Sequence, residues 1–273
     1  MIDLHMHTWR CRHAEGTPGE YVRAAAARGV RTIAFTEHLP LAPSLAARVP
    51  GAERYAMPAE ELPSYVTDVR EASRLGEELG VEVLLGIEID AVPDALDHAR
   101  AVLKTLPVDI VLGSIHFVDD WAFDDPARTD RYAEWDIAEL WERYFADVAA
   151  AAASGVADVV AHADLVKKFC FRPAGPVGSL YRETARSLAS CGVAVEVNTA
   201  GLRKPCQELY PAQELLDELF AAGVPVTVGS DAHRPSEVGA GWDEARAALM
   251  AAGYRSVLVF RQRVPEEVPL DGL

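Results

Sequence analysis

Residues that bind metals recur along this chain at the ends of apolar runs. Seven of its eight histidines lie at or beside the end of a segment that reads as a strand, and Glu88 and Asp231 hold the same kind of position. The segments are Asp3-Leu4-His5-Met6-His7-Thr8, followed by His13; Phe35-Thr36-Glu37-His38; Gly86-Ile87-Glu88-Ile89-Asp90; Gly113-Ser114-Ile115-His116-Phe117; Ala161-His162-Ala163-Asp164; and Gly229-Ser230-Asp231-Ala232-His233. Imidazole and carboxylate are ligands for zinc, iron and manganese. One ion takes roughly four to six ligands. The nine groups His5, His7, His13, His38, Glu88, His116, His162, Asp231 and His233 therefore predict a multinuclear site, and with it a metal-dependent hydrolase.

The runs near 2–7, 31–37, 82–89, 109–116, 157–162, 193–198 and 225–230 read as strands. Helical patterns near 18–28, 59–79, 94–105, 136–154, 178–190, 212–222 and 241–252 alternate with them, and Ser256 to Phe260 is a candidate edge strand. Gly29, Gly80, Gly155, Gly192 and Gly223 each precede a strand, where a helix-ending glycine belongs. Several strands are apolar on both faces, as when both faces are covered. Seven βα units in series imply a parallel α/β sheet with right-handed crossovers. The main rival to a barrel is an open doubly wound sheet, which would scatter its outer strand ends. Ligands at the C-terminal ends of nearly all the strands meet at one point only if the sheet closes into a barrel. One domain over 1–273 is expected, with long loops near 39–58 and 118–135 overhanging the site.

Half the residues are hydrophobic and the net charge is −16. That balance argues against duplex nucleic acid or an anionic membrane as partner, because phosphate tracking needs a basic surface. A small phosphorylated substrate held by local cations remains compatible, and the oligomeric state stays open. The cysteines Cys11, Cys170, Cys191 and Cys206 form no C-x-x-C pair and no disulfide framework. A reducing, cytoplasmic setting fits, and a strand-like segment beginning within five residues of the start leaves no room for a cleavable signal.

Taken alone, the H-x-H of His5 and His7 is about as well read as a buried hydrogen-bonded pair. Repetition favours metal. Asp231-x-His233 gives a second pair, and His38, His116 and His162 end separate strands. Glu88 closes an apolar run, where a carboxylate must be paired, protonated or bound. Asp90 lies one step further out on the same face, to orient a ligand or meet substrate. His98 reads as a solvated helix residue, and Cys11 as a small buried one rather than a ligand. Arg203 and Lys204 follow one strand and Lys167 and Lys168 another, in an acidic protein, which favours phosphate contact, most of all for Arg203.

These motifs together resemble the polymerase and histidinol phosphatase (PHP) family of metallo-phosphoesterases over nearly the whole chain. Finer stretches resemble its histidinol-phosphatase branch: His13-Ala14-Glu15-Gly16-Thr17, Gly113-Ser114-Ile115-His116-Phe117, Asp164-Leu165-Val166-Lys167-Lys168-Phe169 and Asn198-Thr199-Ala200-Gly201-Leu202-Arg203-Lys204. Glu37 stands where many relatives have aspartate, and Ala91 where many have an aromatic residue.

The resemblance implies a distorted (β/α)7 barrel with three divalent ions, zinc, iron or manganese. His5, His7, Glu88 and Asp231 would hold one. Glu88 would bridge to a second, completed by His116 and His162, and His13, His38 and His233 would hold the third. It further implies hydrolysis of L-histidinol phosphate by a metal-bound hydroxide, with Glu88 and Asp231 as catalytic carboxylates. Glu15 and Asp90 would meet the substrate's amine. The alternatives are a PHP-type phosphodiesterase or exonuclease on nucleotides or short oligonucleotides, a binuclear amidohydrolase, which usually relies on a bridging lysine, and a non-catalytic metal-bound scaffold.

Overall fold

The structure, a computed structural model, describes residues 1–273. Its strands in chain order are β1 (Ile2–Asp3), β2 (Thr32–His38), β3 (Glu82–Asp90), β4 (Ile110–Ser114), β5 (Phe117–Val118), β6 (Trp121–Ala122), β7 (Val159–Val160), β8 (Ala194–Asn198), β9 (Val226–Gly229), β10 (Ser256–Arg261) and β11 (Val264–Pro269). Seven form one parallel sheet in the order β1-β2-β3-β4-β7-β8-β9. Beyond its ladder, β9 meets β1: Leu4 N donates to Val228 O at 2.9 Å, His7 N donates to Ala232 O at 2.9 Å, and Met6 bridges Ala232 in parallel. The sheet thus curls into a nearly closed barrel.

Helices Pro18–Arg28, Leu62–Leu79, Leu96–Leu103, Ile137–Ala153, Gly178–Cys191, Gln213–Ala221 and Trp242–Ala252 surround it, close to the expected spans. Local chemistry sets their ends. Thr17 and Glu20 form a capping box on the first, and Asp136 accepts from Ala138 N and Glu139 N at the start of Ile137–Ala153. Gly29 and Gly80 stop their helices at φ 74° and 71°, a conformation costly for other residues.

Side chains alternate across each strand. Ile33, Phe35, Leu85, Ile87, Ile89, Val111, Val160 and Val195 pack against the helices. Ala34, Leu84, Ile110, Leu112, Val159, Ala194, Val226 and Val228 fill the barrel with Ile2 and Leu4. Continuing the inward parity toward the strand ends reaches Thr36 and His38, Glu88 and Asp90, Ser114 and His116, and Glu196 and Asn198. The interior therefore passes from apolar at the base to polar at the C-terminal mouth.

Ser256–Arg261 is not an edge of this sheet, contrary to expectation. It pairs antiparallel with β11, and the hairpin plugs the barrel's N-terminal end. Val257, Val259 and Phe260 join the interior cluster. Arg261 clasps Glu82 at 2.6 and 2.7 Å, Arg263 clasps Asp158, and Asp109 accepts from Gln262 N at 3.0 Å. A barrel of apolar side chains needs its open end covered, and these acids at the strand starts give the cover its anchors.

The two long loops do overhang the mouth and hold each other there. Tyr55 Oη donates to Asp125 Oδ2 at 2.7 Å, and Arg128 donates to Pro50 O at 2.6 Å. His98 is half-buried rather than solvated, with Nε2 3.2 Å from Pro40 O, which pins the start of the first loop. No helix is long and apolar enough to cross a membrane.

Candidate active site

The nine expected ligand residues converge at the C-terminal mouth, but they reach it in two ways. His38, Glu88 and His116 follow the strand parity. His5, His162 and Asp231 break it. Leu4 belongs to the barrel interior, yet its neighbour His5 also points inward, so the pleat slips between them and Met6 turns out to the helices. His162 and Asp231 sit at φ 27° and 51°, in the left-handed region that only a firmly held non-glycine residue keeps.

Glu88 is the hub. Its Oε2 lies 3.0 Å from His38 Nδ1, 3.2 Å from His7 Nε2 and 3.4 Å from His5 Nε2. Its Oε1 faces His162 Nε2 at 3.1 Å and His116 Nε2 at 3.5 Å, and accepts from Ser114 Oγ. Three ligand sets emerge: His5, His7 and Asp231; Glu88, His116 and His162; and His13, His38 and His233. His7, His38 and Glu88 also group, so the sets adjoin.

A second ring of acceptors aims the imidazoles. His5 Nδ1 meets Glu196 Oε1 at 2.7 Å, His7 Nδ1 meets Glu37 Oε1 at 3.3 Å, and His116 Nδ1 meets Asp90 Oδ1 at 2.9 Å. Backbone carbonyls of Arg54 and Asp231 take the same position behind His13 and His233. A neutral ring donating Nδ1–H to an acceptor presents a lone pair at Nε2, the arrangement found behind metal-bound histidines. The Nε2 atoms of His5 and His7 face each other at 3.1 Å, and Glu88 Oε2 and His162 Nδ1 are buried without a hydrogen-bond partner. Two opposed lone pairs and an orphaned carboxylate oxygen fit a cation between them.

The titration of the groups shows the same demand for positive charge. Burial, the largest influence, pulls His5 down, but Glu196, Glu88 and Asp231 outweigh it and hold it well above the ordinary value. His7 is likewise held high, against burial, by Asp231, Glu37 and Glu88. Burial pulls His116 down, yet Glu88 and Asp90 push it up to about 9. Burial alone would raise Glu88 and Asp231, yet the surrounding imidazoles keep both well below the carboxylate range. Cys11 is buried within ligand reach of His7 and His233, and burial and Glu37 push its thiol up to about 12.

A cavity of about 550 Å³ opens over the cluster. Lys168 and Lys204 line it, as do Arg54 and Arg234, which the sequence reading missed because they lie in loops without a strand to orient them. Lys168 is held by Asp124, whose carboxyl Lys168 and His116 depress to about 2 against the opposing effect of burial. Two expected phosphate contacts lie elsewhere. Lys167 is wholly buried, tied to Asp164 Oδ2 at 2.7 Å and Leu209 O at 2.7 Å, because an ammonium in that core needs a partner. Arg203 does not line the cavity; its guanidinium donates to Ser230 O at 2.7 Å and supports the turn that carries Asp231. Glu15 is at the exposed rim, 3.4 Å from Arg234, while Asp90 lines the cavity. Glu37 and Glu196 are the supporting carboxylates, and the signal for Glu196 was a lone charge inside the apolar run Ala194-Val195-Glu196-Val197.

Residues 3–200 match the PHP domain, and residues 214–250 match the PHP-associated family. The chain belongs to the PHP family. A probable histidinol-phosphatase of Deinococcus radiodurans is 37% identical over 264 residues, covering 96% of this chain and 97% of that one. The histidinol-phosphatase of Bacillus subtilis is 26% identical, covering 87% of this chain and 95% of its own. Among solved structures, the histidinol phosphate phosphatase of Lactococcus lactis, complexed with zinc, L-histidinol and phosphate, has the same fold, with TM-score 0.81 and 21% identity over 97% of this chain and 98% of that one. PHP membership thus rests on the matched domain and on identity along the whole barrel.

Proposed function

We propose that this PHP protein is a divalent-metal-dependent phosphomonoesterase that hydrolyses L-histidinol phosphate to L-histidinol and phosphate. One observation carries the metal chemistry: Glu88 turns one oxygen to each of two histidine sets inside a single cavity. The names of the Deinococcus and Bacillus relatives, and the ligands of the Lactococcus enzyme, support the substrate.

His5, His7 and Asp231 would hold one ion, His116 and His162 a second shared through Glu88, and His13, His38 and His233 a third. Such ions neutralise the phosphate oxygens and lower the pKa of a bound water toward neutrality. Asp231, 15% exposed to the cavity, would orient the attacking water or pass a proton to the leaving alkoxide as the P–O ester bond breaks. Lys168, Lys204, Arg54 and Arg234 supply cations for the phosphoryl oxygens, and Asp90, at the cavity wall, faces the substrate's ammonium or imidazole. Phosphate release from histidinol phosphate, a sugar phosphate, a nucleoside monophosphate and a dinucleotide tests the assignment. Preference for histidinol phosphate is expected, and equal or better turnover of a nucleotide overturns it.

A further inference from the structure

Resting on the reading that Glu88 joins two metal-binding sets, we propose that Glu196 is a positioning residue that aims one ligand of each set at once. We further infer that Gly229 supplies the clearance it needs. Glu196 lies on β8, 1% exposed, with no lysine or arginine beside it. Its Oε1 accepts from His5 Nδ1 at 2.7 Å. Its Oε2 accepts from the backbone N–H of His162 at 3.0 Å and from Asn198 Nδ2 at 3.0 Å. Asn198 cannot turn round, because its Oδ1 accepts from Ala200 N at 2.8 Å. With Nδ1–H on His5, every partner of Glu196 is a donor, and both of its oxygens are used as acceptors.

The two contacts do different work. The bond to His5 keeps that ring's proton on Nδ1 and so leaves Nε2 bare toward His7 and Glu88. The bond to His162 fixes a backbone held at φ 27°, which turns that side chain into the site rather than out toward the helices. His5 and His162 are distant in sequence and face different oxygens of Glu88, Oε2 and Oε1, so one buried carboxylate touches a ligand of each set. A methyl group on Gly229 would overlap both Glu196 Oε1 and His5 Cβ. No other residue leaves room for this contact, although Gly229 itself needs no left-handed conformation.

Glu196→Gln keeps the shape and reverses one donor. If the amide N–H faces His5, the imidazole must move its proton to Nε2, the atom aimed at the ion. If it faces His162, the bond that holds the strained backbone is lost. The test is metal retention, read without substrate: elemental analysis after dialysis against a chelator, and the rate of metal release, for wild type, Glu196→Gln, Gly229→Ala and Glu37→Gln. Glu196→Gln should release metal about ten- to a hundredfold faster, the range for outer-ring partners of metal ligands. It should lose the ions of both sets that share Glu88, with the chelator-stripped variant melting as the stripped wild type does. Gly229→Ala should behave alike with Glu196 intact, which keeps the test open if Glu196→Gln does not fold. Glu37→Gln, which touches only His7 of these sets, should loosen one ion. Wild-type retention in Glu196→Gln, or loss of the His5 ion alone, overturns the proposal. A metal-retaining wild type that ignores histidinol phosphate strikes only at the substrate assignment; a wild type that retains fewer than two ions overturns both readings.

Discussion

His5 and His7 point their Nε2 atoms at each other across 3.1 Å, while their Nδ1 atoms rest on two different glutamates, Glu196 and Glu37. With Nδ1–H on each ring, the two Nε2 atoms are aimed at one point, as ligands of a single ion are. Elemental analysis of protein purified without chelators should therefore approach three ions per chain, and anomalous scattering should place them at the three ligand sets. A saturated protein with a single ion, or with metal away from the barrel mouth, would contradict this.

Glu88→Gln should be far more damaging than His13→Ala. Glu88 serves two ligand sets from inside the barrel, whereas His13 serves one from an exposed loop. We expect a loss in kcat/KM of about a thousandfold for Glu88→Gln, ~4 kcal/mol of transition-state stabilisation, and about tenfold for His13→Ala. Turnover and metal content measured side by side decide it. Near-normal turnover and full metal in Glu88→Gln would remove the bridge from the account.

The basic residues should separate by role. Lys204→Ala removes a cation from the cavity wall and is expected to cost about 2 kcal/mol in kcat/KM with metal content unchanged. Arg203→Ala should instead lower metal content, because its bond to Ser230 O supports the Asp231 turn. Lys167→Met should leave KM nearly unaltered and act mainly on stability, since Lys167 is buried and does not itself line the cavity. A phosphate-specific rise in KM for Arg203→Ala with metal retained would restore it to the substrate site.

The alternation of apolar runs and helical patterns made the barrel legible, and the recurrence of histidine at strand ends made the cluster legible. Period-two parity carried His38, Glu88 and His116 to the right face. It could not foresee that His5, His162 and Asp231 arrive by a slipped pleat or a left-handed residue, because those departures are imposed by neighbours such as Glu196 and Arg203 rather than by local propensity. Lys167 and Lys168 are adjacent in sequence, yet one enters the core and the other the cavity. Only the packing of Asp164 and Leu209 around Lys167 distinguishes them. The terminal apolar run was misjudged for a related reason: its partner is the next segment of chain, and its anchors Glu82, Asp109 and Asp158 lie far away in sequence.

The basal plug should give stability a distinct acid dependence. Burial would raise Glu82, but Arg261 and Thr32 outweigh it, so its folded pKa is depressed. A depressed carboxylate contributes stability that is present above the unfolded value of about 4.3 and lost as pH falls through the folded value. Glu82→Gln should therefore cost about 1 kcal/mol at pH 7, modest because the pair is partly exposed. Chemical denaturation from pH 7 down to pH 3 should show that difference shrinking below about pH 4. A difference that stays constant over this range would rule out the ion pair as its source.

The most direct test is a comparison of kcat/KM for histidinol phosphate and for a nucleoside monophosphate, on the same metal-replete protein. The cluster reads only a phosphoryl group, so discrimination must come from the cavity wall, where Asp90, Asp124 and Glu237 stand among the cations. Acids at the wall favour a substrate that carries an ammonium and an imidazole, and repel added phosphate charge. We predict a preference for histidinol phosphate of at least about a hundredfold, ~3 kcal/mol. Equal or faster hydrolysis of the nucleotide would contradict the account.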